Sequence, residues 1–233
     1  MNPGTLFVVA TPIGNLEDIT YRAVRVLGEA AAIACEDTRQ TVKLLNRFNL
    51  KKPLLSYYQP REGQRIPEII DLLLGGKDVA LVSDSGTPAI SDPGFRLVAE
   101  AVRRGIRVVP VPGPNAAIAG LSASGLPTHR FLFIGFPPPK TEGVRKLLAG
   151  LAEEEGTLVF YLPTRRLELF LGLIAETIGD RFVVIGRELT KVHEEFIRGR
   201  APALLKHPGL AALKGEAVVL VQGKTRKDPI ISK

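Results

Sequence analysis

The chain has 233 residues, with 31 Lys and Arg against 24 Asp and Glu for a formal charge of +7. At 45% apolar and 24% charged it has the composition of a globular protein, which excludes wholesale disorder, and no apolar run is long enough to span a bilayer. A single cysteine, Cys35, excludes an internal disulfide framework and points to a reducing, cytoplasmic setting; with only three scattered histidines (His129, His193, His207), a dedicated metal site is not expected.

The first half alternates strand and helix signals. Residues 6–10 are a continuous apolar run, as in a buried parallel strand, and they follow a start with no basic segment, so they read as a first strand and not as a signal peptide. Asp18 is expected to cap a helix through Val24 and Leu27, followed by a strand over 31–35 and a helix opened by Glu36-Asp37-Thr38-Arg39. A third helix is expected over 67–74, with Pro67 near its start and Gly75-Gly76 past its end. Residues 79–82 then give a strand, 95–104 a helix and 106–111 a strand. This alternation predicts a mostly parallel sheet with helices on its faces.

The second half restarts after Gly125-Leu126-Pro127-Thr128, with a strand over 131–136 and further strands at 157–162, 182–185 and 217–221. Helices are expected at 144–151 and 167–178. The predicted architecture is two α/β domains, residues 1–113 and 131–223, joined by a junction at 114–130 and followed by a polar tail at 224–233.

Three Gly- and Pro-rich loops follow predicted strands: Thr11-Pro12-Ile13-Gly14-Asn15, Ser83-Asp84-Ser85-Gly86-Thr87-Pro88 and Pro112-Gly113-Pro114-Asn115-Ala116-Ala117. Ligands of open α/β sheets bind outside the carboxyl ends of strands, where Gly lets backbone approach the ligand and Pro stiffens the loop. Each loop alone has an ordinary alternative as a tight connection; three at strand ends favour a shared ligand crevice. Nucleotide motifs of the standard kinds are missing: no G-x-G-x-x-G follows the first strand, and Gly223-Lys224-Thr225 has Val218 where a P-loop requires its first Gly.

Together these loops resemble the tetrapyrrole methylase superfamily of S-adenosylmethionine-dependent methyltransferases, through residues 111–119 (VPGPNAAIA) and 125–130 (GLPTHR). Within it the chain is similar to the bacterial 16S ribosomal RNA ribose 2′-O-methyltransferase I family. That likeness rests on residues 11–20 (TPIGNLEDIT), 36–39 (EDTR), 83–94 (SDSGTPAISDPG), 121–127 (LSASGLP) and 187–195 (RELTKVHEE). The family's usual histidines are missing from Tyr57-Tyr58-Gln59-Pro60-Arg61-Glu62 and from Phe160-Tyr161-Leu162-Pro163-Thr164-Arg165, so no histidine role is carried to either place.

The resemblance implies two α/β domains with a cofactor crevice between them, S-adenosylmethionine as methyl donor, and a cytidine of 16S ribosomal RNA, within the 30S subunit, as acceptor. It also implies a homodimer with no membrane partner. It places cofactor contacts on Pro12, Asp84, Gly86, Thr87, Ile90, Pro112, Gly113 and Ala116, with Leu162 and Ala217 from the second domain; plain core packing is the alternative for Ile90 and Leu162. A small-molecule tetrapyrrole methylase would use the same crevice and is the competing function.

Methyl transfer from a sulfonium is an in-line displacement, so the protein chiefly aligns donor, methyl and acceptor, while a ribose hydroxyl gains from a proton-accepting path. Candidate catalytic residues are Glu36 and Asp37 from the first domain and Glu188 and Lys191 from the second. The alternative for Asp37 is helix capping, and for Lys191 surface ion pairing. Arg39, Lys43 and Arg47, spaced i, i+4, i+8, share a helix face that is either an RNA phosphate track or a solvated surface.

Overall fold

The computed structural model describes residues 2–59 and 62–224. Pro60, Arg61 and nearly all of the expected polar tail, from Thr225 onward, lie outside the described residues. The chain divides into two compact units between Asn115 and Ala116. The first unit thus runs slightly past the expected limit of 113. Most of the expected junction is instead helix α5 (Ala116–Ser124), at the start of the second unit. That segment is Ala-rich and nearly free of charge, so it carries no amphipathic period to signal a helix.

The first unit contains strands β1 (Thr5–Val9), β2 (Ala32–Cys35), β3 (Leu54–Ser56), β4 (Val79–Val82) and β5 (Arg107–Val111), in the sheet order β3-β2-β4-β1-β5. Every pairing is parallel. β2 and β4 are buried at every residue, as expected for strands covered on both faces. Helices α1 (Tyr21–Glu29) and α2 (Thr38–Arg47) cover one face through Ala23, Val26, Leu27, Leu44 and Leu45. Helices α3 (Glu62–Leu74) and α4 (Phe95–Arg103) cover the other through Ile69, Ile70, Leu73, Leu97 and Ala101. The chain leaves β1 toward β2 on one side and leaves β4 toward β5 on the other, so the adjacent strands β1 and β4 form a topological switch point.

Several local expectations are corrected. Thr20, not Asp18, caps α1, its hydroxyl accepting from the Ala23 N–H; Asp18 ends a short 3-10 turn at Leu16–Asp18. Helix α3 begins five residues before Pro67, which lies in its second turn. Its start is polar (Glu62, Gly63, Gln64, Arg65), so apolar spacing alone does not show it.

The second unit carries β6 (Phe131–Gly135), β7 (Thr157–Pro163), β8 (Phe182–Arg187), β9 (Glu195–Arg200) and β10 (Glu216–Val221), in the order β6-β7-β10-β8-β9. Only β6–β7 is parallel; the other pairings are antiparallel. Helices α6 (Thr141–Gly150), α7 (Leu167–Thr177) and the short α8 (Ala201–Leu204) pack on this sheet through Val144, Leu148, Phe170, Leu171, Ile174 and Leu204. Strand β9 was not expected from the sequence: its arginines interrupt the apolar alternation, as an edge strand allows.

Candidate active site

The carboxyl ends of β1, β4 and β5 carry the three Gly/Pro loops, and these are bound to each other. Thr11 and Gly86 form an isolated antiparallel bridge, with N···O distances of 2.8 and 3.0 Å. The Thr11 hydroxyl also donates to the Ser83 carbonyl at 3.1 Å. Thr87 Oγ1 donates to the Pro114 carbonyl at 3.2 Å, joining the second loop to the third. Gly86 takes φ +85°, open to glycine at no cost. A Cβ on Gly113 would stand 3.0 Å from the Ala10 Cβ, so the third loop lies directly against the first.

Of the cofactor candidates in this unit, Asp84, Pro112 and Gly113 are exposed at the strand ends, whereas Pro12 and Gly86 are buried in the loop framework and Thr87 is half-buried. Ile90 is 41% exposed, so the core-packing alternative does not hold for it. Ala116 begins α5 in the second unit. Leu162 and Ala217, in the same unit, are 1% and 5% exposed and sit opposite each other in the β7–β10 register; their side chains belong to the core.

Four carboxyls gather at the ends of the neighbouring strands β2 and β4. The Asp84 carboxylate accepts from the Asp37 N–H at 3.0 Å. Asp37 caps α2, accepting from the Arg39 N–H, and its carboxylate also grips the Arg39 guanidinium, with contacts of 2.7 to 3.2 Å. Those hydrogen bonds hold Asp37 down to about 2. Capping therefore accounts for Asp37 and also for the adjoining Arg39, and so low a pKa makes Asp37 a weak proton acceptor. Glu36 differs: burial, then the charges of Asp84 and Asp37, push its carboxyl up. Asp92, which sequence reading missed, is raised to about 6 by burial and by Glu36. Its only sequence signal is its place in the 83–94 loop. Burial also pushes the Cys35 thiol up, which leaves it a core residue at the end of β2.

The 83–94 loop is strained. Ala89 and Ser91 have φ +68° and +64°, values that cost non-glycine residues of order 1–3 kcal/mol and persist only where the surroundings impose them. The 187–195 segment in the second unit repeats this pattern, with Glu188 at φ +48° and Thr190 at +67°. Thr190 is β-branched, and its hydroxyl is buried without a hydrogen-bond partner among the described residues. The Thr190 N–H donates to the Glu194 carboxylate at 2.6 Å. Glu188 accepts from Lys191 Nζ at 3.0 Å and from the Glu216 N–H at 3.1 Å. Burial opposes the Glu188 charge, but these donors outweigh it and lower its pKa. Lys191 is thus an ion-paired ammonium on a fixed turn, and His193 is exposed.

On α2, Arg39, Lys43 and Arg47 are all exposed, while Thr41, Leu44 and Leu45 face the core. Arg39 is tied to Asp37, and Lys43 reaches Gln40 at 3.2 Å. Among the described residues no group of three or more His, Cys, Asp or Glu has an arrangement that would hold a metal ion.

The model of the family "Tetrapyrrole (Corrin/Porphyrin) Methylases" matches residues 5–205. A Thermotoga maritima protein named ribosomal RNA small subunit methyltransferase I is 48% identical over 221 residues, 95% of this chain and 99% of its own length. A Pseudomonas aeruginosa protein of the same name is 50% identical over 228 residues, 96% of this chain and 80% of its own. Among solved structures, the methyltransferase CobJ superposes with a TM-score of 0.69 at 21% identity, covering 97% of this chain and 98% of that one. A uroporphyrin-III-C-methyltransferase from Thermus thermophilus gives 0.65 at 24% identity, covering 94% of each chain. Fold, loop motifs and these likenesses agree: the chain belongs to the tetrapyrrole methylase family, in the branch of the ribosomal RNA small subunit methyltransferases I.

Proposed function

We propose that the protein transfers a methyl group from S-adenosylmethionine to the ribose 2′-hydroxyl of a cytidine in 16S ribosomal RNA, with the 30S subunit as its substrate particle. The observation that carries the reading is the bound trio of loops at the β1/β4 switch point, in a chain whose relatives are named as small-subunit ribosomal RNA methyltransferases. The cofactor supplies an electrophilic methyl on a sulfonium cation. The residues present fit such a molecule: exposed Ile90 and Pro112 offer apolar surface, Asp84 an acceptor, and the carboxyls of Glu36, Asp37, Asp84 and Asp92 favour a cation nearby.

Cofactor contact is assigned to Asp84, Ile90, Pro112, Gly113 and Ala116. Pro12, Gly86 and Thr87 shape the loops, and Leu162 and Ala217 support from the core. Glu36, with its raised pKa, is the better proton acceptor of the EDTR motif, and Asp37 orients the Arg39 guanidinium. Lys191, steadied by Glu188, supplies positive charge for an oxygen losing its proton. Exposed Lys43 and Arg47 are assigned to RNA phosphates, with Arg39 nearest the strand end.

No helix among the described residues is long and apolar enough to cross a membrane, and a cytoplasmic homodimer is part of the reading. Light scattering at micromolar concentration tests the dimer. Incubation with methyl-labelled cofactor and either 30S subunits or a porphyrin precursor tests the function: label on a ribose of 16S RNA supports it, and label on the porphyrin alone overturns it.

A further inference from the structure

Glu62 opens α3 and yet is only 5% exposed. A buried carboxylate is costly unless its oxygens are paired. Here Oε1 accepts from the Tyr57 hydroxyl at 2.9 Å and from the Gly94 N–H at 3.3 Å, while Arg96 Nε lies 3.7 Å from Oε2. Tyr57 is 1% exposed, and burial followed by the facing Glu62 carboxylate pushes its phenol up, so it stays a hydroxyl donor. The Tyr57 N–H donates to the Cys35 carbonyl at 2.7 Å. Tyr57 is thus anchored by its main chain at the end of β2, and its phenol and the Gly94 N–H, at the last residue of the 83–94 loop, meet on the one Glu62 oxygen.

Gly94 fixes the loop's side of that meeting point. Its φ is +142°, and a Cβ there would come within 3.0 Å of Leu81 Cδ2 and 3.2 Å of the Ala89 nitrogen. Only glycine closes the loop this way, and the direction of its N–H is set. The loop is clamped at its other end by the Thr11–Gly86 bridge and the Thr87–Pro114 bond. Between the clamps lie left-handed Ala89 and Ser91, exposed Ile90 and the carboxyl of Asp92. Within the loop the Ile90 N–H donates to the Thr87 carbonyl and the Ala89 N–H to the Pro93 carbonyl, each at 3.3 Å, and strained backbone of this kind persists only where such bonds and the two clamps together impose it.

We propose that Glu62 is a positioning residue for the methyl-donor site: by accepting from Gly94 and Tyr57 it fixes the far end of the 83–94 loop and so sets where Ile90 and Asp92 stand. Glu62 acts through the loop and does not touch the donor. The assignment rests on the reading that this loop contacts S-adenosylmethionine.

The test compares the wild type with Glu62→Gln, Glu62→Ala and Leu148→Ala, the last a destabilising change in the core of the second unit. Calorimetry with S-adenosylmethionine, well below each melting midpoint, should show Glu62→Ala binding at least about tenfold more weakly, a loss of about 1.4 kcal/mol. Glu62→Gln keeps an acceptor oxygen and should stay within about threefold of wild type, and Leu148→Ala should bind as wild type does. In turnover, KM for the donor should rise in Glu62→Ala while KM for RNA holds. If Glu62→Ala does not fold, Glu62→Met fills the volume without an acceptor and is judged by the same criteria. Donor affinity in the alanine variant within about twofold of wild type, or an equal loss in Leu148→Ala, overturns the proposal. A wild type that binds no donor overturns the functional reading instead. Hydrogen exchange at 89–94 then decides the positioning role by itself: faster exchange in Glu62→Ala supports it, and unchanged exchange removes it.

Discussion

The Asp84 carboxylate accepts the main-chain N–H of Asp37 at 3.0 Å, which fastens the loop after β4 to the helix start after β2. One side chain thus does two jobs. It holds the neighbouring loop in place, and it remains exposed at the strand end with acceptor capacity for a ligand.

Replacing Asp84 should therefore separate charge from hydrogen bonding. Asp84→Asn retains an acceptor for the Asp37 N–H and should weaken donor binding modestly. Asp84→Ala loses both functions and should weaken it by about 10- to 100-fold, the range expected for hydrogen bonds to charged groups. Calorimetric titration of both variants with S-adenosylmethionine checks this. Equal affinities for wild type and the alanine variant would place the donor elsewhere.

Asp92 gives a pH dependence with a definite sign. Its pKa is raised from 3.8 to about 6, chiefly by burial and then by Glu36. Between those values the folded protein binds more protons than the unfolded chain, so stability falls as pH rises from about 4 to about 6 and levels off above. The full effect is at most about 3 kcal/mol and is reduced by solvent screening. Asp92→Asn should lose this part of the slope and be more stable than wild type at pH 7, while losing activity if the carboxyl serves the site. Denaturant unfolding from pH 4 to 8 reads the first two effects; parallel curves for the two proteins would refute the first, and equal stability at pH 7 the second.

Much of this is legible in the sequence. β1, β2 and β4 are short continuous apolar runs, which is how strands covered on both faces must read. The three loops were visible because close backbone approach demands Gly and Pro. Strand β3 was not, because three residues carry no period, and β9 was hidden by the arginines of an edge strand. The pairings that make the site were beyond sequence reading. Thr11 meets Gly86 across 75 residues, Asp37 meets Asp84 across 47, and no local pattern encodes such partners. The same distance hid Glu62, whose bond to Gly94 spans 32 residues.

Glu188 and Lys191 should differ in how they fail. Lys191→Ala removes the ammonium, and if that charge acts on the departing proton's oxygen, turnover should fall by about 100-fold or more with little change in RNA affinity. Glu188→Gln leaves the lysine in place and keeps an acceptor for the Glu216 N–H. It should cost less, about tenfold, through a looser lysine. Single-turnover rates at saturating enzyme and donor distinguish the two. Near-wild-type rates for Lys191→Ala would return that residue to surface ion pairing.

The basic face of α2 offers the sharpest separation of RNA binding from chemistry. Lys43 and Arg47 are exposed one turn apart, on the side of the helix away from Thr41, Leu44 and Leu45. Neither packs in the core, so Lys43→Ala/Arg47→Ala should leave the melting temperature and donor affinity nearly unchanged. Each lost phosphate contact should lower the slope of log affinity against log salt by about one, so the double variant should bind RNA more weakly at low salt and respond to salt less steeply. Arg39 should behave differently. Its guanidinium is already gripped by Asp37, so Arg39→Ala releases that carboxylate from about 2 toward its ordinary value and disturbs the helix start as well as any phosphate contact. Binding of a 16S RNA fragment measured from 50 to 300 mM salt, beside donor calorimetry, tells these apart. An unchanged salt slope in the double variant would make the stripe a solvated helix face, with no part in holding RNA.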